Sequence, residues 1–492
     1  MHTKVSNILY DPVKARVLFD FLVSSGSTLG IYLIFLISTN QIDDPAFLVF
    51  LPFLYTLSNY YLGLYSKFRL ANVTIKVLII ALSGLVALIL AYFLKTDMLI
   101  ASLSIAFTIP LSSVARWLTN LPHQSVKSDY LEIITSSNQP VLVVGGGGYI
   151  GSHVVEQLII NGEKVRVFDK FYYSKNVFKN LLNNKNLEIF EGDISDLYSL
   201  TLALKDIKTV VHLAGIVGDP AAKIDENLTR HLNIVTTRML KETVKAFRIP
   251  QFIFASSCSV YGTQQDIVSE TSQLNPVSLY AQTKIDSEND LLKDPFDHFH
   301  PTVLRFATVF GHSKRMRFDL VANLFCAQAY HNGKITVIGG DQWRPFIHVK
   351  DISKAVVKVI NSPQETVSRQ IFNVGDNAMN LTINDLAHLV TSIIKEDKKG
   401  NKTQVIVKKD IQDTRNYNVS FDKIANKLNF ASTINFENGI SEIHSNLMKN
   451  NYKHHYTNKI YSNFETTKLI HEEFVSRKYR EKHYSILSTQ AA

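Results

Sequence analysis

VLVVGGGGYIGSHVVEQLI, residues 141–159, is the stretch whose reading decides the fold. An apolar run, Val141–Val144, reads as a buried strand. Four glycines follow, then Tyr149, Ile150 and Gly151, then apolar residues at helical spacing. Gly145, Gly148 and Gly151 give the pattern G-x-x-G-x-x-G. A glycine turn permits backbone angles that a Cβ forbids and lets the chain approach a pyrophosphate. The helix N-terminus behind it offers free N–H groups and the positive end of a dipole to that anion. A glycine triplet alone is a weak signal, but this one stands in the strand–turn–helix order that dinucleotide binding requires.

The neighbouring strands extend the reading. KVRVFD (164–169) ends in Asp169, 18 residues after Gly151. A carboxylate there accepts from both ribose hydroxyls of NAD and repels the 2′-phosphate of NADP, so the expected cofactor is NAD. LEIFEGDI (187–194) puts Asp193 and Ile194 at the adenine end. TVVHLAG (209–215) puts Ala214 and Gly215 beside the cofactor, where only small side chains leave room. Short apolar strands alternate with helical stretches from Pro140 onward, which predicts an α/β, Rossmann-type doubly wound parallel sheet.

QFIFASSCSVYG (251–262) reads as a strand, Phe252–Ala255, entering a serine-rich loop. Downstream, NPVSLYAQTK (275–284) places Tyr280 and Lys284 four apart, on one face of a helix. Oxidising a sugar carbinol requires a base for the hydroxyl proton. A phenol with a pKa near 10 is a poor base at neutral pH unless nearby cations, a lysine ammonium among them, favour its phenolate. A serine hydroxyl then orients the substrate oxygen. Tyr-x-x-x-Lys occurs often by chance as helix-surface residues; here it follows a dinucleotide motif and a serine loop at the expected places.

With these motifs, together with HLAG, LRFATVFG, WRPFIHVKDI and FNVGD, the chain from Pro140 to Lys449 resembles the extended short-chain dehydrogenase/reductase family, the NAD-dependent nucleotide-sugar epimerases and dehydratases. The resemblance implies catalytic roles for Ser257, Tyr280 and Lys284, with Tyr280 and Lys284 also at the cofactor. It implies a smaller C-terminal lobe binding a nucleotide-diphospho-sugar through Ser257, Thr308, Asn323, Arg344 and Arg415. Arginine suits that task because its planar fork binds phosphate oxygens in pairs. The chain departs from the family pattern at Pro345, where an acid often follows the first arginine, and at His312, where a proline is usual. The resemblance further implies a homodimer.

The loop after Ser257 separates the reactions of such enzymes. Those that eliminate water carry an acid and a base beside the catalytic hydroxyl; this chain has Cys258 and Ser259. The expected activity is therefore C4 epimerisation of a nucleotide-diphospho-sugar of the UDP-glucose 4-epimerase kind, for glycan or polysaccharide synthesis. A 4,6-dehydratase or 4-keto reductase is the alternative, and a non-catalytic membrane-tethered NAD-binding scaffold is the reading from another class.

The remainder of the 492 residues differs in character. Residues 1–120 hold four uncharged apolar stretches, Phe21–Ser38, Ala46–Tyr65, Val77–Leu94 and Met98–Ala115, each about 18–20 residues and so long enough to cross a bilayer. Lys and Arg alternate between loops, which predicts a four-helix transmembrane anchor with the N-terminus and the enzyme on the cytoplasmic side. Residues 121–139 read as a linker, 140–449 as the enzyme, and 450–492 as a basic tail, solvated or packed, with a helical stretch from Thr466 to Lys482. The net charge of +9 has no basic run with interleaved aromatics, so no nucleic-acid partner is expected. Two cysteines, Cys258 and Cys326, are no disulfide framework, and no His/Cys cluster has zinc spacing, so no metal is expected.

Overall fold

The computed structural model describes residues 139–408 and 415–490. The chain divides after Asp129 into two units, and all described residues belong to the second. The four apolar stretches and nearly all of the expected linker lie outside the described residues. Among those described, no helix is long and apolar enough to cross a membrane.

Seven parallel strands form the central sheet: β1 (Val141–Val144), β2 (Val165–Asp169), β3 (Leu187–Glu191), β4 (Thr209–His212), β5 (Gln251–Ser257), β6 (His300–Phe306) and β7 (Ile371–Val374). Their spatial order is β7-β6-β5-β4-β1-β2-β3. The winding reverses between β1 and β4, and the crevice beyond the carboxyl ends of those strands is where an open α/β sheet accepts a ligand. The sequence explains the central position of β1. All four of its residues are apolar, and none is more than 1% exposed, because helices cover both faces. The doubly wound parallel α/β sheet read from the sequence is the one observed, while the expected all-α transmembrane part lies outside the described residues.

Three helices position the site. α1 (Gly151–Ile160) starts at the last glycine of the loop and buries Val154, Val155 and Leu158. α2 (Leu279–Leu292) is capped by Ser278, whose hydroxyl accepts from the Ala281 amide at 3.2 Å. α3 (Asn463–Gln490) belongs to the stretch read as a tail. It begins three residues before the expected Thr466, because Asn463 is fixed by Asp319, whose carboxylate accepts from the Asn463 amide at 2.8 Å. The smaller lobe carries a mixed three-stranded sheet. In it Trp343–His348 runs parallel to Thr308–Phe310 and antiparallel to Asn380–Thr382. Its core of Phe325, Phe346, Leu386 and Ile440 is separate from the apolar layers beneath the large sheet.

Candidate active site

The crevice between β1 and β4 opens into a cavity of about 620 Å³. The glycine loop forms its floor. Gly145 has φ +85°, and a Cβ there would stand 2.7 Å from the Ala214 amide nitrogen; one on Gly151 would stand 2.2 Å from the Gly145 carbonyl oxygen. Side chains at these positions would fill the cradle. Ala214 and Gly215 line the opposite side, with Asp193 and Ile194 at one end. Gly148, Tyr149 and Ile150 line it too, although the Tyr149 hydroxyl is committed elsewhere, donating to the Gly311 carbonyl at 2.6 Å.

Asp169 ends β2 and lines the cavity. Its carboxylate accepts from the amides of Gly147 (2.8 Å) and Phe171 (2.7 Å), tying the glycine loop to the acid. Burial raises its pKa, and those two amides work against the rise. Lys170 reaches Asp193 at 3.1 Å, so the two acids read from the sequence share one end of the cavity. The glycine cradle, the helix terminus behind it and the carboxylate beyond it fit a dinucleotide.

β5 delivers the serine loop to the other end of the cavity. Ser257 lies at the strand's last position and hydrogen-bonds Tyr280. One turn along α2, the Lys284 Nζ donates to the Ala255 carbonyl at 2.8 Å and lies 5.8 Å from the centre of the Tyr280 ring. The three residues brought together by sequence reading are together here. The electrostatics differ from the expectation. Burial drives the Tyr280 phenol above its ordinary value, against the opposing Ser257 bond. The same burial lowers Lys284 to about 8, with Glu288 opposing. Desolvation outweighs the Ser257 bond and the Arg317 charge that favour the phenolate, so the protein alone holds Tyr280 as a neutral phenol.

The residues expected at the substrate diphosphate are only partly gathered. Arg344 and Arg415 adjoin: the Arg344 Nη1 donates to the Arg415 carbonyl, and the Arg415 Nη1 lies 3.1 Å from Asp219. Thr308 pairs with Phe346, two residues beyond Arg344 on the neighbouring strand. Asn323 is a correction. It is fully buried, accepts from the Gly311 amide at 3.0 Å, and donates to the Tyr149 hydroxyl (3.1 Å) and the Arg317 carbonyl (2.8 Å). An amide so occupied holds the Arg317 segment in place and has no donor left for a diphosphate.

Sequence reasoning missed Arg315 and Arg317, which line the cavity, and also the tail. The signal for the first was present: KRMR (314–317) sets alternate cations just after a motif strand. Among the described residues, no group of three or more His, Cys, Asp or Glu is arranged to hold a metal.

Residues 141–375 match the NAD dependent epimerase/dehydratase family. An uncharacterized UDP-glucose epimerase of Bacillus subtilis is 32% identical over 250 residues, 46% of this chain and 75% of that protein. Two solved structures are similar over their whole length, each covering 64% of this chain. One is a UDP-glucuronic acid 4-epimerase from Bacillus cereus, in complex with UDP-glucuronic acid and NAD, at 25% identity and TM-score 0.57. The other is a UDP-glucose 4-epimerase from Thermotoga maritima, with UDP-glucose, at 26% identity and TM-score 0.56.

Proposed function

The chain belongs to the NAD-dependent epimerase/dehydratase family, NAD is its cofactor, and on that premise we propose that it inverts C4 of a UDP-sugar. One observation carries the choice of reaction. The loop after the catalytic hydroxyl offers no free acid or base. Cys258 is fully buried, its thiol donates to the Arg305 carbonyl at 3.3 Å, and burial drives its pKa far up. The carboxylate bonded to Ser256 is Glu288, itself paired with Arg305. Dehydration needs a proton donor and acceptor beside the sugar. C4 inversion needs only the Ser257–Tyr280–Lys284 set.

When bound, NAD supplies the hydride acceptor and a positively charged ring. The chain supplies the rest. Ser257 orients the sugar hydroxyl, and Tyr280 takes its proton and later returns it. Lys284 fixes the nicotinamide ribose and adds positive charge behind the phenol. Gly145, Gly148 and Gly151 let the backbone meet the pyrophosphate, and Asp169 takes the adenosine ribose. Arg344 and Arg415 are the sugar-diphosphate clamp. The test is to give purified protein UDP-glucose or UDP-glucuronate and resolve the products. A C4-inverted sugar with no net NADH is expected. A stable 4-keto-6-deoxy product would favour the dehydratase reading and remove this one.

The four apolar N-terminal stretches and the alternation of positive loops support a multi-pass membrane protein with the enzyme on the cytoplasmic side, acting where lipid-linked glycans are assembled. Fractionating lysed cells tests this, and recovery in the soluble fraction counts against it. A homodimer is the assembly proposed, by likeness to the family, and sedimentation of the purified protein decides it.

A further inference from the structure

We propose that α3 is the outer wall of the dinucleotide site and retains NAD between turnovers. Asn463, Thr467, Ile470, Glu473 and Phe474 all line the cavity. Their spacing repeats every three to four residues, so they form one helix face. Ile470 and Phe474 pack against the small apolar cluster that holds Tyr280, Ile216 and Leu228. The helix therefore touches the reacting end of the site as well as the adenosine end.

Two polar anchors hold it there. Near its start, Asn463 Oδ1 accepts from Arg315 Nη2 at 2.7 Å and from the Tyr173 hydroxyl at 3.1 Å. Three turns on, Glu473 accepts from Lys170 Nζ at 2.5 Å and from the Tyr172 hydroxyl at 3.0 Å. Lys170 in turn reaches Asp193. A chain of charges thus runs from the adenine end of the cavity to the helix. Burial lowers the pKa of Lys170, but its bonds to Glu473, Tyr172 and Asp193 outweigh that and hold it above its ordinary value.

Arg315 shows what the enclosed space is built to take. Its side chain is 5% exposed, its guanidinium stacks 3.5 Å from the centre of the Tyr173 ring, and its Nε has no hydrogen-bond partner. Burial lowers its pKa to about 10. A buried cation with an unused donor is costly unless an anion meets it. The cavity it lines already has the glycine loop and the α1 terminus, so a pyrophosphate there would meet backbone amides and a helix dipole as well as this guanidinium. With α3 seated, leaving requires breaking the Lys170–Glu473 and Arg315–Asn463 contacts. Retention suits a reaction that returns its hydride to the sugar it came from, and in that respect the proposal rests on the epimerase reading.

The test follows the release of NAD from the loaded full-length protein after rapid dilution, measuring free nucleotide against time. The variants are Glu473→Lys, which sets two ammonium groups face to face, and a chain ending at Ser462. Both should release NAD about tenfold faster or more, since loss of a charged contact acts mainly on the off-rate. Leu469→Ala, on the 60% exposed side of the helix, should match the unaltered protein. If the shortened chain does not fold, Glu473→Lys decides alone. Release as slow as normal in Glu473→Lys, or equally fast release in Leu469→Ala, overturns the proposal. Failure of the epimerase reading shows separately, as absent C4 inversion in a protein that still holds NAD.

Discussion

Arg305 and Glu288 form a buried ion pair that joins β6 to α2: Nη2 lies 2.7 Å from Oε2, and the Nε donates to both carboxylate oxygens at 3.1 and 3.2 Å. The two side chains are 2% and 4% exposed. Glu288 also accepts from the Ser256 hydroxyl, and the Arg305 Nη1 donates to the Tyr261 hydroxyl at 3.0 Å. The pair thus ties the serine loop to the helix that carries Tyr280 and Lys284. Replacing Glu288 with Ala leaves a buried guanidinium without its counter-charge and should cost about 3–5 kcal/mol of stability. The double variant Glu288→Leu/Arg305→Met should lose less than the two single changes summed. Denaturant unfolding of the unaltered protein, Glu288→Leu, Arg305→Met and the double variant measures this, and additive losses would show that the pair is not coupled.

Tyr280→Phe removes the phenolic oxygen proposed to take the substrate proton and leaves the packing of the ring intact. Turnover should fall about 10²–10⁴-fold, the usual contribution of a positioned acid–base group. Product formation at saturating substrate is the measurement, with NAD binding followed in parallel. A loss smaller than a few-fold would assign proton removal to another group.

The sheet and the cofactor loop were legible because local chemistry dictates them. A buried strand must be apolar on both faces, and a backbone that meets a pyrophosphate must be glycine at the turn. Both leave marks in a short window. Tyr280 and Lys284 were legible for the same reason, since four-residue spacing is a helix face. What escaped was set by long-range contact. Arg315 became a cavity residue because Asn463, 148 positions away, accepts its hydrogen bond. Asn323 looked like a ligand by its motif, yet Gly311, Tyr149 and Arg317 satisfy it. The rise of the Tyr280 pKa depends on how completely the fold, α3 included, excludes water, and spacing carries no record of that.

Lys284 sets a pH dependence. Burial lowers it from its ordinary 10.5 to about 8, so in the folded protein the ammonium is present below about 8 and is lost above it. The charge proposed to fix the ribose and back the phenol goes with it, and kcat/KM should decline above about pH 8, the profile that reports free-enzyme groups. Lys284→Arg, which stays protonated, should move that decline upward if the variant turns over. Stability runs the other way. Between about 8 and 10.5 the unfolded chain binds a proton that the folded one does not, so this group's contribution to folding stability improves as pH rises through that window. A kcat/KM profile flat from about pH 7 to about pH 10 would detach Lys284 from the reaction.

Gly151 and Gly162 bracket α1 and separate two effects of adding a methyl group. At Gly151 a Cβ would lie 2.2 Å from the Gly145 carbonyl oxygen and 2.7 Å from the Gly146 Cα, both backbone atoms that cannot turn aside. The loop itself must move, and with it the amides proposed to meet the pyrophosphate. Gly151→Ala should weaken NAD binding by about 10²-fold, a shift of about 2.7 kcal/mol, together with a loss of stability. At Gly162 the φ is +82° and nothing lies within 4 Å of the added atom. Gly162→Ala therefore carries only backbone strain, about 1–2 kcal/mol, and should bind NAD as before. Titrating NAD into both variants, alongside their thermal melts, distinguishes them. Equal NAD affinity in the two would mean that the close approach at Gly151 does not shape the cofactor loop.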